Sequence, residues 1–344
     1  MPEIIRNTLY VTTQGAYLHH DHEVLKVEIE KQTRLAVPIH HLESVALFGH
    51  VMVSPGALRK CADAGIATTF LSEHGRLLAR VDAPQSGNVL LRREQFRQAD
   101  RPQACLAVAR NCIAGKIQNA RALLQRSARE SDDEHDRKAL DEAAASLAHS
   151  LAALPGADSI DSLRGHEGSA ASAYFDVFNA MIRQQRADFR MNGRSRRPPL
   201  DRVNALLSFA YSMLLHDCVA ALTAAGLDPS VGFLHTDRPG RPALALDLME
   251  EFRPLIADRL VLALINRRQV GPDDFEQRTG GAVIMNDAAR KKVIAAYQQR
   301  KQEPVRHPLL EVTVRFGRLP FLQAMLLART IRGELEAYPA LVLK

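Results

Sequence analysis

Only four cysteines occur among the 344 residues, at positions 61, 105, 112 and 218, and tryptophan is absent. None of the cysteines forms a CxxC pair and no two have a zinc-ligand spacing, which excludes a zinc site built on them. Cys105 and Cys112 stand seven apart, so on a helix they share a face and read as core. All four read as reduced thiols of a cytoplasmic protein. The opening residues, MPEIIRNTLY, lack the basic segment followed by an apolar one that marks a secretory signal. A run of about 18 apolar residues is also missing, which argues against a membrane span. No internal repeat is evident.

What is present suits two globular domains. The length exceeds the commonest single-domain size, apolar residues make up 46% and charged residues 24%. The formal charge is +6, a lean toward an anionic partner such as nucleic acid. The first 90 or so residues read as strands: LYVTTQ, AYLHH, EVLKVEIE, TRLAVPI and SVALFG are short, β-branched and separated by turn residues. ALRKCADAG, capped by Ser54-Pro55 and stopped by Gly65, reads as one helix among them. IATTFLS and RLLARV read as two more strands joined by Glu-His-Gly. Beyond residue 95 the apolar spacing becomes helical. Helices are expected through CLAVARNCIAGKIQNARALLQR and at about 160–191, 201–225, 243–267, 286–300 and 319–337, with 128–148 as a solvated turn. The expected architecture is α+β: a small N-terminal β-sheet domain over 1–93, then a larger all-α domain over 94–344.

Three segments bear on chemistry. RGHEGSAASAYF sets Glu167 between Gly165 and Gly168; small residues there allow another helix or a phosphate backbone to come close. His235 precedes the turn TDRPGRP, which fixes where its imidazole points. DLMEEFRP places Asp247, Glu250 and Glu251 at helical spacing, and Pro254 removes the donor for the carbonyl of Glu250, so a kink is expected there. Each segment has a plainer reading. Glu167 suits a helix start, His235 suits a cap, and Glu250 with Arg253 makes a local ion pair. Taken together, two carboxylates and a histidine on separate helices can hold one divalent ion with positions left open.

The basic context favours a phosphate-bearing partner. Between Arg183 and Arg202 the run RQQRADFRMNGRSRRPPLDR carries seven arginines, among them Arg190, Arg194, Arg196 and Arg197. Guanidinium groups bind phosphate bidentately. Arg238 and Arg241 in the turn after His235, and Lys291 and Lys292 on a basic helix, complete the expected DNA-contacting set. Asn204, Ser208 and Tyr211 form a narrow polar stripe on the helix that comes after the arginine run.

The stretches ARNCIAGKIQNARALLQR, RGHEGSAASAYF, RRPPLDRVNALLSFAYSMLLHD and GFLHTDRPGRPALALDLMEEFRPLIAD together resemble the CRISPR-associated Cas-One family of spacer-acquisition integrases, over nearly the whole chain. The wording of LHTDRPGRPALALDLMEEFRP is most similar to the type I-C variant. The resemblance implies a homodimer that associates with the small Cas-Two protein and acts on double-stranded DNA, the spacer fragment and the CRISPR array. It implies Mn2+ or Mg2+ held by Glu167, His235 and Glu250, with Asp247 completing the catalytic set. Glu250 stands where some relatives have aspartate. Lys116 and Asn119 match a family stretch that carries no assigned role. The implied reaction joins a 3'-hydroxyl end to a phosphodiester. Two readings compete with it: a DNA-binding assembly protein without chemistry, and a metal-dependent phosphoesterase acting on small esters.

Overall fold

The computed structural model describes residues 7–73, 75–81 and 88–343. They form two compact units. The first gathers the described residues before Asn88 together with Met285–Gln298, and the second holds Asn88–Ile284 and the residues from Gln299 onward. A β-sheet region before a mostly helical region is the architecture that the sequence leads one to expect.

In chain order the first unit contains β1 (Asn7–Val11), β2 (Tyr17–Asp21), β3 (Val24–Ile29), β4 (Gln32–Pro38), β5 (Leu42–Phe48), β6 (Met52–Val53), α1 (Pro55–Asp63), β7 (Ala67–Leu71) and β8 (Leu77–Val81). One sheet has the order β1-β5-β7-β8 and the other β4-β3-β2-β6. β5 pairs in parallel with both β1 and β7, and its apolar run is buried nearly throughout, as a strand flanked on both sides and covered on both faces requires. β3 alternates instead: Leu25 and Val27 are buried while their neighbours are part-exposed. Ala57 and Cys61 of α1 close the core with Leu18, Val45 and Leu47. Ser54 Oγ accepts from the Ala57 amide at 3.0 Å, and Gly65 ends the helix at φ +69°. The expected Glu73–Gly75 connection includes His74, which lies outside the described residues.

The second unit is helical: α2 (Val89–Ala99), α3 (Pro102–Arg129), α4 (Glu134–Ala153), α5 (Ile160–Asp176), α6 (Arg202–Ala224), α7 (Ala243–Met249) and α8 (Arg259–Asn266). Two more helices lie further along the chain, α9 (Asp287–Gln302) and α10 (Leu319–Ile331). The turn expected over 128–148 shrinks to residues 130–133 between α3 and α4, and 134–148 is helix. Leu140, Ala143, Ala144 and Leu147 recur at helical spacing and are buried, and the Asp133 carboxylate caps α4 by accepting from the His135 and Asp136 amides. The helix expected over 160–191 stops at Asp176. From there Asn179 ties the arginine run back, accepting from the Met191 amide and donating to its carbonyl, both at 2.9 Å.

α6 is the one described helix long and apolar enough to cross a membrane, and 67% of its apolar window is buried inside the protein. The kink expected at Pro254 is present as a change of helix type. α7 tightens to a 3-10 turn over Glu250–Phe252 and then widens to a π-helix over Arg253–Asp258. Proline cannot donate to the Glu250 carbonyl, so the ladder changes register. At three residues per turn, consecutive side chains diverge by about 120°, and Glu250 and Glu251 serve different sites.

Candidate active site

Four elements of the second unit converge. Lys116 comes from α3, Arg164 and Glu167 from α5, His235 from the loop before α7, and Glu250 and Arg253 from the segment after it. Ser159 starts α5 by accepting from the Ser162 amide. Arg164, Glu167 and Tyr174 then fall on one face at three- and seven-residue spacing. Arg164 donates to the Leu234 carbonyl at 2.6 Å and to Thr236 Oγ1 at 3.1 Å, which ties the glutamate-bearing helix to the histidine-bearing loop.

Asp247 holds that loop in shape. It is 1% exposed. Its Oδ2 accepts from the amides of Phe233 (2.6 Å) and Leu234 (3.0 Å), while its Oδ1 accepts from the His235 amide at 3.0 Å. The same Oδ1 lies 2.7 Å from His235 Nδ1. A carboxylate can only accept, so Nδ1 carries the hydrogen and, in the neutral ring, Nε2 is the nitrogen with the lone pair. That Nε2 stands 4.0 Å from Glu250 Oε1. Gly232 permits this packing. A Cβ there would sit 2.9 Å from the Ala243 backbone and from Asp247 Oδ2.

Glu250 is buried between two cations. Arg253 Nε donates to its Oε1 at 3.1 Å, and Lys116 Nζ lies 2.7 Å from its Oε2. Burial pushes the carboxyl up, but Arg253, Lys116 and His235 outweigh it and bring the pKa down to about 2. The Lys116 ammonium also bonds Glu167 Oε1. Burial opposes its charge, yet Glu250 and Glu167 hold its pKa above the ordinary lysine value. The structure thus brings Glu167, His235 and Glu250 to one place with an ammonium between the carboxylates. Among the described residues, no three His, Cys, Asp or Glu side chains close directly on a single point.

Glu251 faces the other way. It is fully buried and accepts from Tyr338 Oη at 2.6 Å and from Gln323 Nε2 at 3.2 Å, with the Leu341 amide alongside. Asn119 donates to the carbonyls of Glu251 and Leu341. Both residues pin the C-terminal segment behind the site. Beneath Arg253, which stacks 4.6 Å over the Tyr211 ring, Asp258 accepts from the hydroxyls of Tyr211 at 2.6 Å and Tyr174 at 2.9 Å.

The cluster borders a cavity of about 470 Å³, and Arg164, Arg196, Arg238, Arg241 and Arg253 also line it. Of the other expected DNA-contacting residues, Arg190 and Arg197 are exposed. Arg194 is turned inward: it donates to Asn204 Oδ1 and the Ser195 carbonyl and faces the Tyr211 ring at 5.3 Å. Lys291 and Lys292 are exposed on the part of α9 that belongs to the first unit.

Sequence reasoning does not reach the parts played by Lys116, Arg164 and Asp258. A local signal exists for Arg164, since it precedes Glu167 by one helical turn. Lys116 and Asp258 depend on long-range packing that no local spacing encodes.

Comparisons with known proteins give the family and the fold. The family model for CRISPR associated protein Cas1 matches residues 9–299. The CRISPR-associated endonuclease Cas1 1 of Moorella thermoacetica is 49% identical, over 97% of this chain and 98% of its own. Two solved structures share the fold. A chain of the complex described as Cas6-RT-Cas1--Cas2 has a TM-score of 0.83 at 24% identity, covering 98% of this chain and 36% of its own. The casposase described as bound to integration product has a TM-score of 0.82 at 22% identity, covering 97% and 93%. With its glutamate helix, histidine loop and acidic turn set as above, and with its sequence matched nearly end to end, the chain belongs to the CRISPR-associated Cas1 family.

Proposed function

We propose that the protein is a divalent-metal-dependent DNA endonuclease and integrase, which joins short DNA fragments into a CRISPR array by attack of a 3'-hydroxyl on a phosphodiester. The observation that carries this reading is the meeting of Glu167, Glu250 and the Nε2 side of His235 at an arginine-lined cavity. The names of the relatives, endonuclease for the curated one and integration product for the casposase, support it.

The residues fit a hard divalent ion. Glu250 is buried, and the contact of its Oε2 is the Lys116 ammonium at 2.7 Å. Two carboxylates with one imidazole suit manganese, and the oxygen donors also serve magnesium. Glu167, Glu250 and His235 would hold the ion, which supplies charge neutralisation at the reacting phosphate. The remaining work falls to the chain itself. Asp247 fixes the His235 tautomer and ring orientation. Arg253 keeps Glu250 ionised. Arg196, Arg238 and Arg241 offer guanidinium groups to phosphate oxygens. Gly165 and Gly168 leave the exposed surface of α5 beside Glu167 open, with nothing within 4 Å of an added Cβ, so a duplex backbone can come close. The proposal includes a homodimer and the small Cas2 protein as partners, the latter in line with the Cas1–Cas2 complex that shares the fold.

One observation favours a second reading. Lys116 already pairs with both carboxylates, as it would in an assembly protein whose acidic cluster is purely structural. The test is a strand-transfer assay with a labelled 3'-hydroxyl fragment, a target duplex and Mn2+. Wild-type protein is expected to join the two, and Glu167→Ala to lose at least about a hundredfold in rate while keeping most of its DNA affinity. Wild-type rates from Glu167→Ala would remove the metal-site reading and leave the structural one.

A further inference from the structure

Lys116 has no place in the metal-dependent chemistry just described, yet its ammonium sits at the centre of it. The side chain is 17% exposed and reaches both carboxylates from α3, a different element from either. Resting on the proposed metal-binding reading, we propose that Lys116 is a placeholder for the divalent ion. It holds Glu167 and Glu250 together when no metal is bound, and it must leave for the metal to enter.

The ammonium occupies the place between Glu167 and Glu250 that a bridging dication would take, lying against an oxygen of each. A dication entering beside Lys116 and Arg253 would crowd a third cation against the same two carboxylates in a poorly solvated site, which is costly. A dication that replaces Lys116 takes over its contacts with both carboxylates. Arg253 cannot be the group displaced, because its guanidinium is stacked on Tyr211 as well as bonded to Glu250. Lys116 has a flexible stem and lines the open cavity, so the ammonium can move into it. The same side chain accounts for the absence, among the described residues, of a closed cage of metal donors: the carboxylates meet through nitrogen.

The ion-pair geometry makes Lys116 a positioning residue, so the decisive readout is metal affinity and not turnover. Mn2+ binding to the full chain can be followed by the loss of the free-ion electron paramagnetic resonance signal. Lys116→Met and Lys116→Gln remove the competing charge and are expected to bind Mn2+ about tenfold more tightly or better than wild type, a change of at least about 1.4 kcal/mol. Lys116→Arg keeps the charge and is expected to stay near wild type. Without metal, the two neutral variants should melt below wild type, and Mn2+ should raise their melting temperature by more than it raises that of wild type. Glu167→Gln serves as the control for the site. If wild type binds Mn2+ in a Glu167-dependent way but the neutral variants bind no tighter, or bind like Lys116→Arg, the placeholder role is overturned and the metal site stands. If wild type shows no Glu167-dependent binding, the metal reading itself fails, and the placeholder role with it.

Discussion

His235 and Asp247 are joined twice: Asp247 Oδ1 lies 2.7 Å from the imidazole Nδ1 and 3.0 Å from the His235 backbone nitrogen. One buried carboxylate thus sets the loop, the ring and the tautomer together. Asp247→Asn keeps the shape but brings an N–H2 group to face donors. It should lower Mn2+ affinity and strand transfer by about ten- to a hundredfold, with little change in DNA affinity. Retention of full metal affinity by a folded Asp247→Asn protein would show that His235 does not depend on this partner.

Gly232 is the second control on that loop. Gly232→Ala places a methyl group 2.9 Å from the Ala243 backbone and from Asp247 Oδ2. Backbone cannot swing aside as a side-chain tip can, so the loop has to shift. A loss of about 1–3 kcal/mol in denaturant unfolding is expected, together with a marked fall in strand transfer. An unchanged midpoint would contradict the close packing.

Gly165 and Gly168 pose the opposite case. Both lie inside α5, where glycine costs about 0.5–1 kcal/mol relative to alanine, and no packing within the chain requires the missing Cβ. Alanine at each position should raise stability by roughly that amount while weakening DNA binding. If alanine there stabilises and DNA affinity is untouched, the open surface of α5 is not a DNA contact.

Asp258 gives a pH signature. Burial lifts its carboxyl from 3.8 to about 6, despite the hydroxyls of Tyr211 and Tyr174 and the nearby Arg253 that favour its charge. The native state therefore binds the proton more tightly than the unfolded chain. Its contribution to stability is complete below about pH 4 and is lost as the pH rises through about 6. Asp258→Asn does not titrate, so its melting temperature should improve relative to wild type between about pH 4 and 7. A flat difference across that window would show that the carboxyl is not held protonated.

The first unit is legible in the sequence because its strands are short, punctuated and patterned. β3 shows the alternation and β5 the unbroken apolar run that their neighbours demand. Residues 128–148 mislead because charge and alanine on the wet face of α4 hide the Leu140–Leu147 spacing beneath. The end of α5 at Asp176 carries no local stop signal. The chain beyond it is fixed by partners distant in sequence, with Arg186 paired to Asp136 at 2.7 Å and Gln185 donating to the Ile265 carbonyl.

The candidate site is partly readable. Pro254 announces the change of helix type, and Glu250 with Arg253 can be paired from spacing alone. Glu250 and Glu251, as consecutive residues of a helical turn, diverge by about 100° or more, and only the folded surroundings show that Glu251 belongs to a separate buried cluster with Tyr338 and Gln323. Lys116 lies 51 residues before Glu167 and 134 before Glu250. Only the folded arrangement of α3, α5 and the acidic turn brings the three together.

The central claim is that Glu167, His235 and Glu250 hold one divalent ion. Anomalous diffraction from crystals of the protein soaked in Mn2+ tests it most directly. A single strong peak within bonding distance of both carboxylates and His235 Nε2, with the Lys116 ammonium moved away from them, is the expected result. A peak bound elsewhere, or no peak at a Mn2+ concentration that supports strand transfer, would contradict it.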